Sequence, residues 1–175
     1  YLERRVGEIM GIEVRAQGCT LSGAVCINLL RHPGWGRAQE TYGEDPYHLG
    51  EMGAALATGI QTHNVVATVK HYALNSIENA RFKINVRIDA RVLREVYLAH
   101  FKRILDAGCA SVMTAYNKVN GEYAGQNREL LTDILRREWG FEGITHSDWM
   151  LGVYQPYGAS AGLDIENPEP VHFGA

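Results

Sequence analysis

Four short runs, 24–30, 65–69, 111–115 and 143–147, each end on polar residues, and each is separated from the next by text with helical periodicity. This alternation limits the folds open to the chain more than any other feature. The runs are too apolar for strands with one wet face, and so predict strands buried on both sides, as in a parallel sheet covered by helices. Between them, 2–15, 47–62, 90–106 and 127–139 read as helices. Leu2, Val6, Ile9, Met10 and Val14 supply the apolar positions of the first, and Val92, Val96, Leu98, Phe101 and Leu105 those of the third. Asp45-Pro46, Asp89 and Asn127 have the form of N-terminal caps, with Gly18 and Gly140 as stops. A last run, 161–165, predicts one more short strand. The whole is the signature of β/α packing. No GxGxxG follows any strand, so a dinucleotide-binding sheet is disfavoured.

Polar residues collect where the strands end. Arg37 lies in a long loop beyond the first run, Lys70-His71 closes the second, Tyr116-Asn117 the third, and Asp148-Trp149 the fourth. In a β/α barrel these exits share one rim, so residues far apart in sequence converge on one pocket. Taken singly, each keeps two readings. Asp148 is a helix cap or a reactive carboxylate. Arg37 pairs with Glu40 to stiffen its loop or holds a ligand. Lys70 is a solvated strand end, and His71 a satisfied core imidazole, unless the two grip the hydroxyls of a polar ligand.

Composition narrows the partners. The 175 residues carry a net charge of -3 without any basic run, which argues against nucleic acid. No apolar run approaches the roughly 18 residues of a membrane span, and no charged-then-apolar leader opens the chain. Cys19, Cys26 and Cys109 show no CxxC spacing, and the seven histidines form no HExxH. No metal or other cofactor is expected. The chain starts inside helix-like text and stops without a closing element, and so reads as part of a longer protein.

Five stretches together carry a family resemblance: the loop RHPGWGRAQETYGEDP, the pair Lys70-His71, the run MTAYNKVNG, the helix text LLTDILRREWGFEG, and Ser147-Asp148-Trp149. In this order they resemble glycoside hydrolase family 3, most closely its β-glucosidase branch. The resemblance implies an incomplete (β/α)8 TIM-like barrel over 1–175, part of the family's N-terminal domain, without its first strand or strands and without a downstream second domain. It implies a retaining, exo-acting β-glycosidase whose covalent intermediate forms on Asp148. Arg37, Lys70 and His71 look like the residues that hold the terminal sugar, and Arg81, Met113, Tyr116 and Trp149 match positions lining the same subsite. The expected partner is a small-molecule β-glucoside or oligosaccharide. The acid/base glutamate is expected from the missing second domain of the same protein, so this chain alone is expected to be inactive.

The chemistry of these residue types agrees. A retaining glycosidase needs an ionised carboxylate and a protonated carboxyl about 5 to 5.5 Å apart. Arg37 and Lys70 are expected to lower the pKa of Asp148, Tyr116 to hydrogen-bond it, and Trp149 to offer a face for a sugar ring. Tyr72-Ala73-Leu74-Asn75 after the Lys-His pair lacks the Asp-Ser-His dyad of the family's N-acetylglucosaminidases. Trp149 stands where its xylosidases usually resemble Ser-Asp-Cys. Three alternatives stay open: another family 3 specificity such as β-xylosidase or exo-glucanase, a non-catalytic sugar-binding relative, and a Schiff-base aldolase using Lys70.

Overall fold

The computed structural model describes residues 1–174; Ala175, the end of the expected 1–175 domain range, lies outside the described residues. Helix α1 (Leu2–Ala16) carries Arg15 in its last turn, where a cation complements the helix dipole. Strand β1 (Leu21–Cys26) and a long loop lead to α2 (Pro46–Gln61). That helix starts as its sequence predicts, with Asp45 Oδ1 accepting from the Tyr47 amide at 2.8 Å and proline in the first turn. Strand β2 (Val66–Tyr72), the short β3 (Asn85–Val86) and a broken helix follow. The helix consists of α3 (Ala90–Val92), a π-helical turn Leu93–Tyr97 and α4 (Ala99–Asp106). Then come β4 (Ser111–Thr114), the hairpin of β5 (Lys118–Val119) and β6 (Glu122–Tyr123), a π-helical stretch Glu129–Glu138, β7 (Ile144–His146) and α5 (Gly158–Ala161).

β1, β2, β4 and β7 form one parallel sheet in that order. Val25, Val69 and Val112 are buried with Leu49 and Ile60 of α2, Phe101 and Ile104 of α4, and Leu131 and Ile134 of the π-helical stretch in one core cluster. The fold is therefore α/β with a parallel sheet, the class read from the strand-helix alternation. β3, β5 and β6 make a separate small sheet. Among the described residues no helix is long and apolar enough to cross a membrane.

Three expectations need correction. The 90–106 helix is not continuous: its wide turn shifts the register by about one residue, so the fully buried positions are Leu93, Leu98, Phe101 and Ile104, while Val92 is partly exposed. The 161–165 strand is absent. There, α5 ends at Gly162, whose φ of +114° suits glycine alone, and only Ile165 bridges to His146. In α1 the apolar text divides. Gly7 and Gly11 are buried with their Cα atoms pressed on α2, where an added Cβ would meet Leu56 O at 2.4 Å and Ile60 O at 2.6 Å. Leu2, Val6, Ile9 and Ile12 point to solvent.

Candidate active site

The strand exits of the parallel sheet open on one cavity of about 360 Å³, lined by Arg37, Glu40, Lys70, His71, Arg81, Met113, Tyr116, Asp148 and Trp149. All eight residues singled out from the sequence are in this lining, and Glu40 joins them. Each arrives by a different element. Arg37 comes from the β1–α2 loop, which is tied down by Leu30 N to Gly43 O (3.0 Å) and Thr41 Oγ1 to Asn28 O (2.7 Å). Lys70 and His71 belong to β2, Met113 to β4, and Tyr116 follows β4. Asp148 and Trp149 stand just past β7, with Ser147 pinned by its amide to Ile165 O at 2.9 Å.

Asp148 is buried, and its two oxygens differ. Oδ1 accepts from the Trp149 amide at 2.7 Å, whereas Oδ2 has no hydrogen-bond partner among the described residues. A buried acceptor left without a partner costs free energy, and such atoms concentrate where a ligand or water completes them. No helix starts at Asp148, so the capping reading fails. Burial pushes the Asp148 pKa up, and the Trp149 amide and the Arg37 and Arg81 charges only partly offset it. The expectation of a lowered pKa is thus corrected: removal from water outweighs the cations here. The expected Tyr116–Asp148 hydrogen bond is not made: the Tyr116 hydroxyl donates to Trp149 O at 2.7 Å, so it steadies the backbone beside the carboxylate. Burial, and next the Asp148 charge, push the Tyr116 pKa up.

The cations are held in turn. Arg37 makes two bonds to Glu40, 2.8 and 2.7 Å, and a third from Nη1 to His71 Nε2 at 3.0 Å. This bidentate pairing keeps Glu40 below its ordinary pKa. Arg81 Nη1 bonds Glu78 Oε2 at 3.0 Å, and its guanidinium lies 4.6 Å from the Tyr116 ring centroid. Glu78 Oε1 also accepts from the buried Trp35 indole at 3.0 Å. Lys70 has no ion-pair partner among the described residues. His71 is buried, and desolvation, followed by the charges of Arg37, Lys70 and Arg81, holds its pKa well below the ordinary range. It is neutral, 3.7 Å from Asp148 Oδ2. Trp149 is 60% exposed, leaving an aromatic face open at the rim.

Glu40, Glu78 and Asn28, which holds His71, were not among the sequence candidates. The one available signal was the three-residue spacing of Arg37–Glu40 and Glu78–Arg81, and it marked pairing without telling that the pairs face a cavity. Asp164 and Glu166 lie elsewhere. Asp164 Oδ2 takes the Thr145 amide and Arg136, and Glu166 takes the His172 and Phe173 amides and the His172 ring.

Known proteins match this chain along most of its length. Residues 2–162 match the Glycosyl hydrolase family 3 N terminal domain. "Beta-glucosidase B" of Emericella nidulans is 42% identical over 171 residues, 97% of this chain and 20% of the relative. "Probable beta-glucosidase K" of Aspergillus fumigatus is 43% identical over 93% of this chain and 21% of its own. Beta-glucosidase 3B from Thermotoga neapolitana, solved in complex with glucose, superposes with a TM-score of 0.94 at 40% identity, over 97% of this chain and 24% of that one. The chain thus spans about a fifth of the length of the curated relatives it matches. With residues 2–162 matching the family's N-terminal domain and its backbone following that solved β-glucosidase, the chain belongs to glycosyl hydrolase family 3, within the N-terminal domain.

Proposed function

We propose that this chain, as part of a single N-terminal domain over 1–175, supplies the sugar-holding half of a retaining β-glucosidase, with Asp148 as nucleophile. The observation that carries the reading is the Asp148 Oδ2 atom, buried and unpartnered in a cavity where Arg37, Glu40, His71, Arg81 and Tyr116 are already paired with protein groups. In this reading the terminal glucosyl unit lies in the cavity, with Lys70, Arg37 and Arg81 donating to its hydroxyls and Trp149 offering a stacking face. Asp148 Oδ2 attacks the anomeric carbon, and the bond from that carbon to the leaving oxygen breaks. The leaving oxygen takes a proton from a carboxylic acid. Water then releases the sugar, returning its proton to the same acid.

That acid is not supplied by the cavity's other carboxylate. Glu40 is held ionised by Arg37, so it is a poor proton donor. The acid is therefore assigned to a part of the whole protein beyond these residues, which fits a chain spanning about a fifth of its relatives. A Schiff-base role for Lys70 leaves the orphaned carboxylate without a purpose. The test is to treat the full-length protein with 2-deoxy-2-fluoro-β-glucosyl fluoride and map the labelled peptide. A glycosyl adduct on Asp148 is expected. An unlabelled, folded full-length protein would remove the assignment.

A further inference from the structure

We propose that Asn28 is a positioning residue that holds His71 in its Nδ1–H tautomer and so keeps Asp148 Oδ2 free for the sugar. The argument begins at the backbone. Asn28 is buried beyond β1 and meets His71 three times: His71 N to Asn28 Oδ1 at 2.8 Å, Asn28 Nδ2 to His71 O at 2.8 Å, and His71 Nδ1 against the same Oδ1 at 3.0 Å. A main-chain amide only donates and a main-chain carbonyl only accepts. The orientation of the Asn28 side chain is therefore fixed, with Oδ1 toward the His71 amide and Nδ2 toward its carbonyl. Because Oδ1 also faces Nδ1, Nδ1 must carry the proton.

A neutral ring with its proton on Nδ1 leaves Nε2 bare. Arg37 agrees, since its guanidinium can only donate, and its Nη1 lies 3.0 Å from Nε2. The consequence falls on Asp148. Its Oδ2 lies 3.7 Å from Nε2, and a bare Nε2 offers it no proton. With the opposite tautomer, Nε2–H would turn on this oxygen and would also face the Arg37 donor, occupying the group meant for the anomeric carbon and loosening the guanidinium. The charges of Arg37, Lys70 and Arg81 oppose protonation of the imidazole, and among the described residues Asp148 is the one carboxylate within ion-pair distance of it. Asn28 thus acts through His71 and touches no substrate. The catalytic consequence rests on the reading of Asp148 as nucleophile; the tautomer does not.

Two measurements on the full-length protein separate these layers. Neutron diffraction is expected to find deuterium on His71 Nδ1 and none on Nε2, and deuterium on Nε2 overturns the proposal whatever the activity. In kinetics, Asn28→Ala is expected to lower kcat by about 10–100-fold, the size of loss seen when a hydrogen-bond partner that orients a metal-binding histidine is removed. Asn28→Asp keeps an acceptor for both His71 N–H groups, and so is expected to recover kcat at high pH. It then loses activity as pH falls, because the added carboxylate favours the imidazolium, whose Nε2–H turns on Asp148. A wild-type kcat in Asn28→Ala, or an equal, pH-independent loss in both variants, overturns the positioning role. If Asn28→Ala does not fold, the diffraction result and the Asn28→Asp profile decide. A Nδ1–H ring in a protein without glucosidase activity would retire the function and leave the tautomer standing.

Discussion

At the residue scale the site is a set of paired groups around one unpaired oxygen. Burial raises the Asp148 pKa, so in the native state the ionised form is disfavoured relative to the unfolded chain. Its contribution to stability is then fully present below the ordinary carboxylate pKa and lost as pH rises through the raised one. Asp148→Asn is accordingly expected to raise the thermal midpoint at neutral pH, by the equivalent of about 1 kcal/mol, and to lose that gain in acid. The same substitution should cut kcat by about four orders of magnitude or more. The wild-type rate should fall on the acid side as Asp148 takes up a proton. Glu78 gives the opposite sign. It holds both Arg81 and the Trp35 indole, and Trp35 is buried. Glu78→Ala is expected to cost about 1–3 kcal/mol in chemical denaturation and to raise KM, because Arg81 loses its anchor at the sugar site.

At the element scale the close approach of α1 to α2 is made by glycines. A Cβ at Gly59 would lie 2.3 Å from Arg4 O and 3.0 Å from the Gly7 Cα, both backbone atoms that move only with α1 itself. Gly59→Ala is expected to destabilise by about 1–3 kcal/mol. Gly50, in the same helix, meets the root of the Arg103 side chain instead, Cγ at 3.0 Å and Cβ at 3.1 Å, contacts that need a shift of only a few tenths of an ångström. There the better helix propensity of alanine, worth about 1 kcal/mol, should offset much of the strain, so that Gly50→Ala costs less than Gly59→Ala. Thermal melts of the two variants side by side check the contrast. The broken helix between β3 and β4 shows why local pattern misleads at this scale. The sequence offers a regular apolar repeat, but the residues that reach the sheet are Leu93, Leu98, Phe101 and Ile104, because a wide turn is the way this segment brings them all to one core.

At the scale of the whole molecule, what stands out is unpartnered surface. Leu2, Val6, Ile9 and Ile12 form an exposed apolar stripe on α1, and Leu21 and Ile144 are partly exposed at the starts of β1 and β7. Contiguous apolar surface of this kind favours association. The 175-residue polypeptide by itself is therefore expected to self-associate, seen as a sedimentation coefficient that rises with concentration. It is also expected not to hydrolyse an aryl β-glucoside, since the cavity holds one free carboxylate and the reaction needs two. Turnover by this polypeptide would mean that an acid among these residues had been misjudged.

The sequence by itself determined the class of fold and the cast of the site. Buried-strand runs alternating with helical periodicity leave few architectures, and a barrel's strand exits share one rim, so Arg37, Lys70, His71, Arg81, Met113, Tyr116, Asp148 and Trp149 were legible as neighbours from strand-end position and motif. Tertiary structure alone decided the state of each group. Glu40, Glu78 and Asn28 have no motif of their own, and their importance comes from facing groups between 3 and 43 residues away in the chain. The direction of the Asp148 pKa was misjudged because sequence lists charges and does not report burial, and desolvation is set by everything packed around a group. The proton on His71 lay out of reach for the same reason: it follows from which donors and acceptors the fold brings within about 3 Å of the ring, a property of three-dimensional neighbours and not of chain order.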